Sequence, residues 1–202
     1  MANLFWTTPW PGLLAWAALY VSDYYLTIAC ARMYQQGVKN VIAFEGSYEL
    51  TPYFQKDVDA LQPVSGRFVI VLVLVGLGLV AAWWLAWQLP WQAPFAFLLG
   101  ALIGMQLAVH VRHVRNRYLF RAVLAGEGVQ GRIEYTRPVM LRMSSVEFLA
   151  LAGGFAICAL VTLSPFVLGA TFGCLSLALK HRRLSRPAVA VREPASTRNP
   201  GG

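Results

Sequence analysis

The chain has 202 residues, of which 57% are hydrophobic and only 13% are charged, and its formal net charge is +8. Soluble domains usually carry about 25% charged residues, so this composition excludes an ordinary soluble domain and indicates a membrane protein. The length suffices for one membrane domain over residues 1–186. The remaining residues, 187–202, are rich in Pro, Ala, Arg and Ser, which predicts a disordered tail.

Apolar segments predict the membrane helices in chain order. They cover residues 13–31, 68–89, 95–111 and 146–179, and the third helix is expected to continue to about residue 125. Pro90 and Pro94 lie in the short connection between the second and third segments, which predicts a tight helical hairpin. The other connections, residues 32–67 and 112–145, are predicted loops. We expect a short helix after Thr51 in the first loop, and a small hairpin-like pairing of residues 38–44 with 128–136.

The last apolar run decides the number of crossings. Residues 148–179 are thirty-two positions without Asp, Glu, Lys, Arg or His. One helix of that length would be roughly 48 Å long, whereas the hydrocarbon core is about 30 Å thick. Ser164 and Pro165 offer a turn between two crossings, over residues 146–163 and 165–179. We therefore predict an all-α bundle of five membrane helices, or four if the run is one long helix.

The basic residues orient this bundle. No Lys or Arg precedes the first helix or lies in the hairpin turn, four lie in residues 32–67, seven in 112–145 and six after residue 179. Basic loops stay on the cytoplasmic side, so the N-terminus is expected outside and the two long loops and the tail inside. This predicts a multi-pass protein of the cell (cytoplasmic) membrane. All seven tryptophans flank the external side, as in an interfacial belt: Trp6, Trp10, Trp16, Trp83, Trp84, Trp87 and Trp91.

Asp23 is the strongest candidate for a functional residue, because it lies near the middle of the first predicted helix. A carboxylate at that depth costs a few kcal/mol and is expected to face the bundle interior. At helical spacing, Tyr20, Thr27 and Cys30 share its face. Two interpretations carry equal weight. Asp23 is either a proton, cation or catalytic site, or a structural partner for another helix or an Arg.

A short motif surrounds this residue. Asp23-Tyr24-Tyr25-Leu26-Thr27, followed by Glu49-Leu50-Thr51-Pro52, resembles a family of small prokaryotic polytopic membrane proteins to which no activity is assigned. That family has Asp-x-x-Leu-Thr and then Glu-x-Asn-Pro, so Thr51 stands where it has asparagine. The resemblance covers about thirty residues. It implies that Asp23 and Glu49, with Thr27, converge near the cytoplasmic mouth of the bundle.

A basic stretch follows the third apolar segment. His110 and His113 share one helical face there, a spacing compatible with a metal or haem ligand pair. The surrounding arginines favour instead a positive-inside anchor that binds anionic lipid head groups or an acidic partner: Arg112, Arg115, Arg117 and Arg121. A nucleic-acid site is not expected, because membrane topology already requires these charges.

Close helix packing is predicted at two Gly-x-x-x-Gly patterns. The four glycines are expected to pack within the chain, with a homo-oligomer or membrane-complex interface as the alternative: Gly100, Gly104, Gly169 and Gly173. Glu147 follows Ser144 and Ser145 at the predicted start of the fourth helix, so it is expected to cap that helix.

These patterns favour a non-enzymatic membrane component, an accessory subunit or scaffold. No catalytic triad, Walker loop, dinucleotide fingerprint or Cys-based metal spacing is present in the sequence. We expect no cofactor. One alternative is a small proton- or cation-coupled transporter or channel that uses Asp23. The other is a membrane enzyme or a metal- or haem-binding redox subunit that uses Asp23, Glu49, His110 and His113.

Overall fold

The computed structural model describes residues 7–89, 91–128 and 131–186, and within these residues the fold is all-α with six helices. Trp6, Pro90 and the predicted tail over residues 187–202 lie outside the described residues. The helices are α1 Trp10–Gln36, α2 Gln55–Asp59, α3 Gly66–Gln88, α4 Ala93–Ala125, α5 Arg137–Thr162 and α6 Pro165–Leu184. A 3-10 turn covers Val38–Asn40, and two short strands are β1 Ile42–Phe44 and β2 Ile133–Tyr135.

Four of these helices, α1, α3, α4 and α5, are long and apolar enough to cross a membrane. The long apolar run is broken in the structure, because α5 ends at Thr162 and α6 begins at Pro165. Leu163 has a φ of 49°, in the left-handed region that ends helices, and Pro165 occupies a first-turn position where its missing N–H is harmless. α6 has 20 residues and a basic last turn, and it is not one of the four candidate spans.

α6 packs between α4 and α5, α1 packs on α4, and α3 packs against both α1 and α4. α4 and α6 run parallel and approach closely where glycines remove the side chain. A Cβ at Gly100 would overlap the carbonyl oxygen of Phe166, and a Cβ at Gly169 would overlap that of Phe97. Gly104 and Gly173 face Ala170 and Ala101 in the same way. All four glycines therefore serve packing within the chain.

The start of α5 differs from the prediction. α5 begins at Arg137, because Thr136 is extended and Pro138 fits the first turn, whereas the apolar pattern indicated residue 146. Glu147 consequently lies well inside the helix, where its carboxylate forms an ion pair with Arg115. The prediction that Glu147 caps a helix was wrong, because Arg137 and Arg142 make the first two turns charged and hid the true helix start in the sequence.

The loops between the helices form a small cap at one end of the bundle. β1 pairs with β2 as predicted, but in parallel, with Ile42 opposite Ile133 and Phe44 opposite Tyr135. A hairpin-like arrangement is excluded because the strands come from separate loops rather than from the two sides of one turn. We call this end, which carries residues 37–65, 126–128 and 131–136, the loop end.

The short helix α2 lies beside the cap. It begins at Gln55, after a turn that contains Thr51, and buries Val58 against Tyr24 and Phe68.

One tryptophan departs from the predicted interfacial belt. Trp16 is only 2% exposed and stacks on Tyr20 at 5.4 Å between ring centroids, because it lies on the inner face of α1. Four others are exposed: Trp10, Trp84, Trp87 and Trp91.

Candidate functional site

A cavity of about 200 Å³ lies inside the bundle toward the loop end, and we call it the polar chamber. The polar face of α1 forms one wall, since Tyr20, Asp23 and Thr27 recur at helical spacing and all line the cavity. α4 forms the opposite wall with Gln106, Arg112 and His113, and the first loop contributes Glu49. Parallel packing of α1 and α4 places these two polar faces at the same level.

Asp23 and His113 meet in this chamber. Nε2 of His113 lies 3.0 Å from Oδ1 of Asp23 and 3.0 Å from Oγ1 of Thr27, with which it shares a hydrogen bond. The imidazole is 3% exposed, whereas the Asp23 carboxylate is 21% exposed. The backbone carbonyl of His113 accepts a weak bond from Sγ of Cys30 at 3.8 Å, which ties α4 to the same face of α1. The carboxylate thus retains access to the chamber while the imidazole is enclosed.

Three buried polar atoms in this wall have no hydrogen-bond partner within the described residues: Oδ1 of Asp23, Oε1 of Gln106 and Nδ1 of His113. The ion-pair contact of Asp23 with His113 lacks hydrogen-bond alignment, so the carboxylate oxygen still lacks a donor. An unpaired buried polar group costs about 1–3 kcal/mol, and two of these three are obligate acceptors. The chamber is therefore complementary to a hydrogen-bond donor or a cation.

Glu49 reaches the chamber from the loop end. Its Oε1 accepts a hydrogen bond from the backbone N–H of Thr51 at 2.6 Å, and its carbonyl accepts one from Nε2 of Gln55 at 2.9 Å. These two hydrogen bonds close the turn at residues 49–51. They hold the Glu49 side chain in place at the cavity. Asp23, Thr27, Tyr20 and Glu49 thus surround one cavity, in line with the convergence that the motif implies.

A second cavity, of about 310 Å³, adjoins the first at the loop end. We call it the aromatic chamber. Glu49, Arg112 and His113 line both cavities and form their shared wall. The rest of the lining carries Arg115, Asn116, Ser144 and Glu147 together with an aromatic and methionine-rich surface: Phe44, Tyr48, Phe120, Tyr135, Met140 and Met143. Burial raises the pKa of Tyr48, so its hydroxyl stays protonated and accepts a hydrogen bond from Nδ2 of Asn116 at 3.2 Å.

The two histidines predicted as a ligand pair have different surroundings. Nδ1 of His110 donates to the backbone carbonyl of Gln106 at 2.7 Å, and its Nε2 lies 2.7 Å from Oγ of Ser22. His110 does not line either chamber, whereas His113 lines both. Among the described residues, no group of three His, Cys, Asp or Glu side chains lies close enough together to hold a metal ion.

The four arginines predicted to contact lipid or a partner also separate. Arg112 turns inward, donates to Oγ of Ser144 at 3.0 Å and places its guanidinium 5.6 Å from the centre of the Phe148 ring. Arg115 pairs with Glu147, Arg117 lies by an open groove on α1, and Arg121 is exposed. Arg115, whose side chain is 52% exposed, and Arg121 therefore retain the outward position that a lipid anchor requires, whereas Arg112 and Arg117 are half-buried.

Sequence reasoning missed two residues of the site. Gln106 lies one helical turn before His110 and two turns before His113. This spacing places the three polar residues on one face of α4. His181 lies in the basic last turn of α6, yet it is buried and its Nδ1 lies 2.9 Å from Oγ of Ser144. Ser144 thus connects Arg112 with His181, and no spacing within one helix could have indicated this contact.

Comparison of the chain with family models, curated proteins and solved structures finds no match.

Proposed function

We propose that the protein crosses the cell membrane five times, with its N-terminus outside and its loop end in the cytoplasm. α6 supports the fifth crossing because it runs parallel to α4, with Gly169 against Phe97 and Gly173 against Ala101. Its apolar residues therefore lie at the level of the apolar part of α4, a candidate span. The fifth crossing also returns Lys180 and the basic residues after it to the side of the other basic loops.

This topology predicts a labelling pattern for single cysteines. In a Cys158→Ser background, which removes the exposed thiol, Ser164→Cys should react with a membrane-impermeant thiol reagent only from outside. Arg186→Cys should react only from the cytoplasmic side, in inverted vesicles. Reaction of Arg186→Cys from outside would instead support a single final crossing. The buried Cys30 and Cys174 serve as an internal control, because the unmodified background should remain unlabelled in both vesicle orientations.

Within this topology, the function that the site supports best is a non-enzymatic membrane component that binds a proton or small monovalent cation from the cytoplasmic side. The contact between Asp23 and His113 carries the proposal. It places a carboxylate with an unpaired buried oxygen in a cavity between candidate spans. Retaining a carboxylate at this depth is costly, and such residues commonly form ion sites or proton relays. Glu49, in the turn at the loop end, lies on the approach from the cytoplasm.

Replacement of Asp23 tests the cation site. If the site binds a proton, the unfolding temperature of wild type should depend on pH. If it binds a metal cation, that temperature should change when Na⁺ or K⁺ is replaced by choline at constant ionic strength. Asp23→Asn keeps the shape of the side chain but removes its charge, so it should remain folded and lose this dependence. A charge-assisted contact of this kind contributes about 1.5–3 kcal/mol, which corresponds to at least a tenfold loss of affinity. Glu127→Gln removes an exposed carboxylate at the end of α4 and is the matched control. Equal responses of Asp23→Asn and wild type would reject the cation site.

A transport role is the second candidate, favoured by the position of Asp23 and His113 on two candidate spans. On the external side of Asp23 the path is filled by stacked rings, with Tyr20 at 5.4 Å from Trp16 and 5.1 Å from Phe68. Transport would require this aromatic stack to open. Proton uptake into liposomes, reported by an entrapped pH dye, separates the two roles. A carrier gives an uptake that Asp23→Asn abolishes and Glu127→Gln retains, whereas a binding protein gives no uptake above empty liposomes.

A further inference from the structure

The aromatic chamber is a second potential binding site, and it does not involve Asp23. It lies between the cytoplasmic ends of α4 and α5, beneath the strand cap. Its volume of about 310 Å³ falls at the lower end of the range for small-molecule pockets. At about 30 Å³ for each water-sized group, this volume accommodates roughly ten non-hydrogen atoms.

The apolar wall of this chamber is preorganised on one side and adaptable on the other. Phe120 is fully buried and lies 5.7 Å from the Tyr48 ring, and Phe44 stacks on Tyr34 at 5.1 Å. The hydroxyl of Tyr34 also accepts the backbone N–H of Phe44 at 3.0 Å, which fixes this aromatic cluster. The facing wall on α5 carries two methionines, whose flexible side chains adapt to an apolar ligand.

One positive charge in the chamber wall lacks a counter-charge. Arg115 and Glu147 neutralise each other in an ion pair, and Glu49 accepts the N–H of Thr51. Arg112 has no carboxylate within 4.0 Å among the described residues, and its hydroxyl partner, Ser144, is neutral. A guanidinium with unused N–H groups beside an apolar wall matches the geometry of a carboxylate.

The wider charge distribution also favours an anion. Residues 112–147, which include Glu147 in the chamber wall, contain seven Arg and three Glu, so this segment carries an excess of positive charge. Glu49 in the shared wall limits how much negative charge the ligand can bring. A single carboxylate can use the fork of Arg112, whereas a doubly charged phosphate would be repelled by Glu49.

We propose that the aromatic chamber binds a small amphipathic carboxylic acid, with its carboxylate on Arg112 and its aryl or alkyl body between the aromatic cluster and the α5 methionines. This site goes beyond the cation site at Asp23. Arg112 orients the acid head, and the methionines Met140 and Met143 set the length of the apolar body.

Three probes that share one apolar body test this proposal. They are 3-phenylpropionate, 2-phenylethylamine and 2-phenylethanol, measured by equilibrium dialysis against the full chain in nanodiscs, with empty nanodiscs subtracted. The acid should bind at least tenfold more tightly than the amine or the alcohol, because a hydrogen bond to a charged group contributes about 1.5–3 kcal/mol. Tighter binding of the amine, or equal binding of all three probes, would overturn the proposal.

Variants assign the binding to the chamber. Arg112→Gln should weaken binding of the acid at least tenfold, and Arg112→Lys should restore part of it by returning the charge without the planar fork. Met143 is 45% exposed, so Met143→Trp can fill the chamber without overpacking the core and should abolish binding even if Arg112→Gln fails to fold. Glu127→Gln should bind as wild type. Unchanged binding in Met143→Trp would place the probe elsewhere and reject the site. Dialysis in a buffer with choline in place of Na⁺ and K⁺ keeps binding of the acid independent of either ion at Asp23. Failure of the cation site is therefore detected separately, by the unfolding measurements above.

Discussion

Gly169→Ala is expected to separate α6 from α4 and to destabilise the bundle by at least about 3 kcal/mol. The added methyl group would overlap the backbone carbonyl of Phe97 and the amide of Ala101, and backbone atoms cannot move aside as a side chain does. The effect is large because α6 packs extensively against both α4 and α5.

Gly153→Ala is the matched control for this variant. Gly153 is also a glycine within a long apolar helix, but a Cβ there meets no atom within 4 Å among the described residues. Alanine has a higher helix propensity than glycine by about 1 kcal/mol, so this variant should be neutral or slightly stabilising. Unfolding by SDS titration, followed by circular dichroism, measures both. Equal stability of Gly169→Ala and Gly153→Ala would contradict the close approach of α4 and α6.

His113→Leu is expected to cost about 3 kcal/mol, since it leaves the Asp23 carboxylate without the imidazole that lies 3.0 Å away. Asp23→Leu alone should cost less, about 1 kcal/mol, because His113 keeps its hydrogen bond to Thr27. The double variant Asp23→Leu/His113→Leu should recover most of the loss, since no unpaired charge remains at the interface of α1 and α4. The three variants form a double-mutant cycle that isolates the energy of this contact.

His110→Leu provides the comparison within the same helix. His110 lies one turn before His113 and contacts Ser22 and the Gln106 carbonyl, and no carboxylate of the described residues pairs with it. Its loss should cost about 1 kcal/mol, and its effect should add to that of Asp23→Leu. If the stability losses of Asp23→Leu and His113→Leu also simply add in the double variant, Asp23 and His113 are not coupled. A double variant that regains its stability but no longer responds to cations would show that the pair has a binding role apart from its contribution to stability.

Much of the backbone could be predicted from local sequence signals. The apolar segments indicated all four candidate spans, and the sequence located the turn at Ser164, because proline and a small polar residue interrupt an otherwise apolar run. The start of α5 could not be found this way, since Arg137 and Arg142 make its first turns polar. The direction of the strand pairing also required the tertiary structure, because short β-branched segments indicate pairing but not orientation.

The candidate site was predictable on one side only. Helical periodicity placed Tyr20, Asp23 and Thr27 on one face, and the cost of a charge in the membrane required that face to point inward. Periodicity constrains the face of a helix but not the neighbour that this face meets. Thr27 and His113 are 86 positions apart, and only the parallel packing of α1 and α4 brings them to 3.0 Å.

By itself, therefore, the sequence predicted a membrane protein, the approximate places of its four candidate spans and the polar face of α1. These follow from hydrophobicity and helical repeat, which act within a few turns of one segment. The tertiary structure alone decided that His113 partners Asp23, that Arg112 turns inward to Ser144, and that the packing glycines join α4 to α6 within one chain. Those contacts depend on the order and rotation of whole helices, which are fixed by how all the side chains pack together.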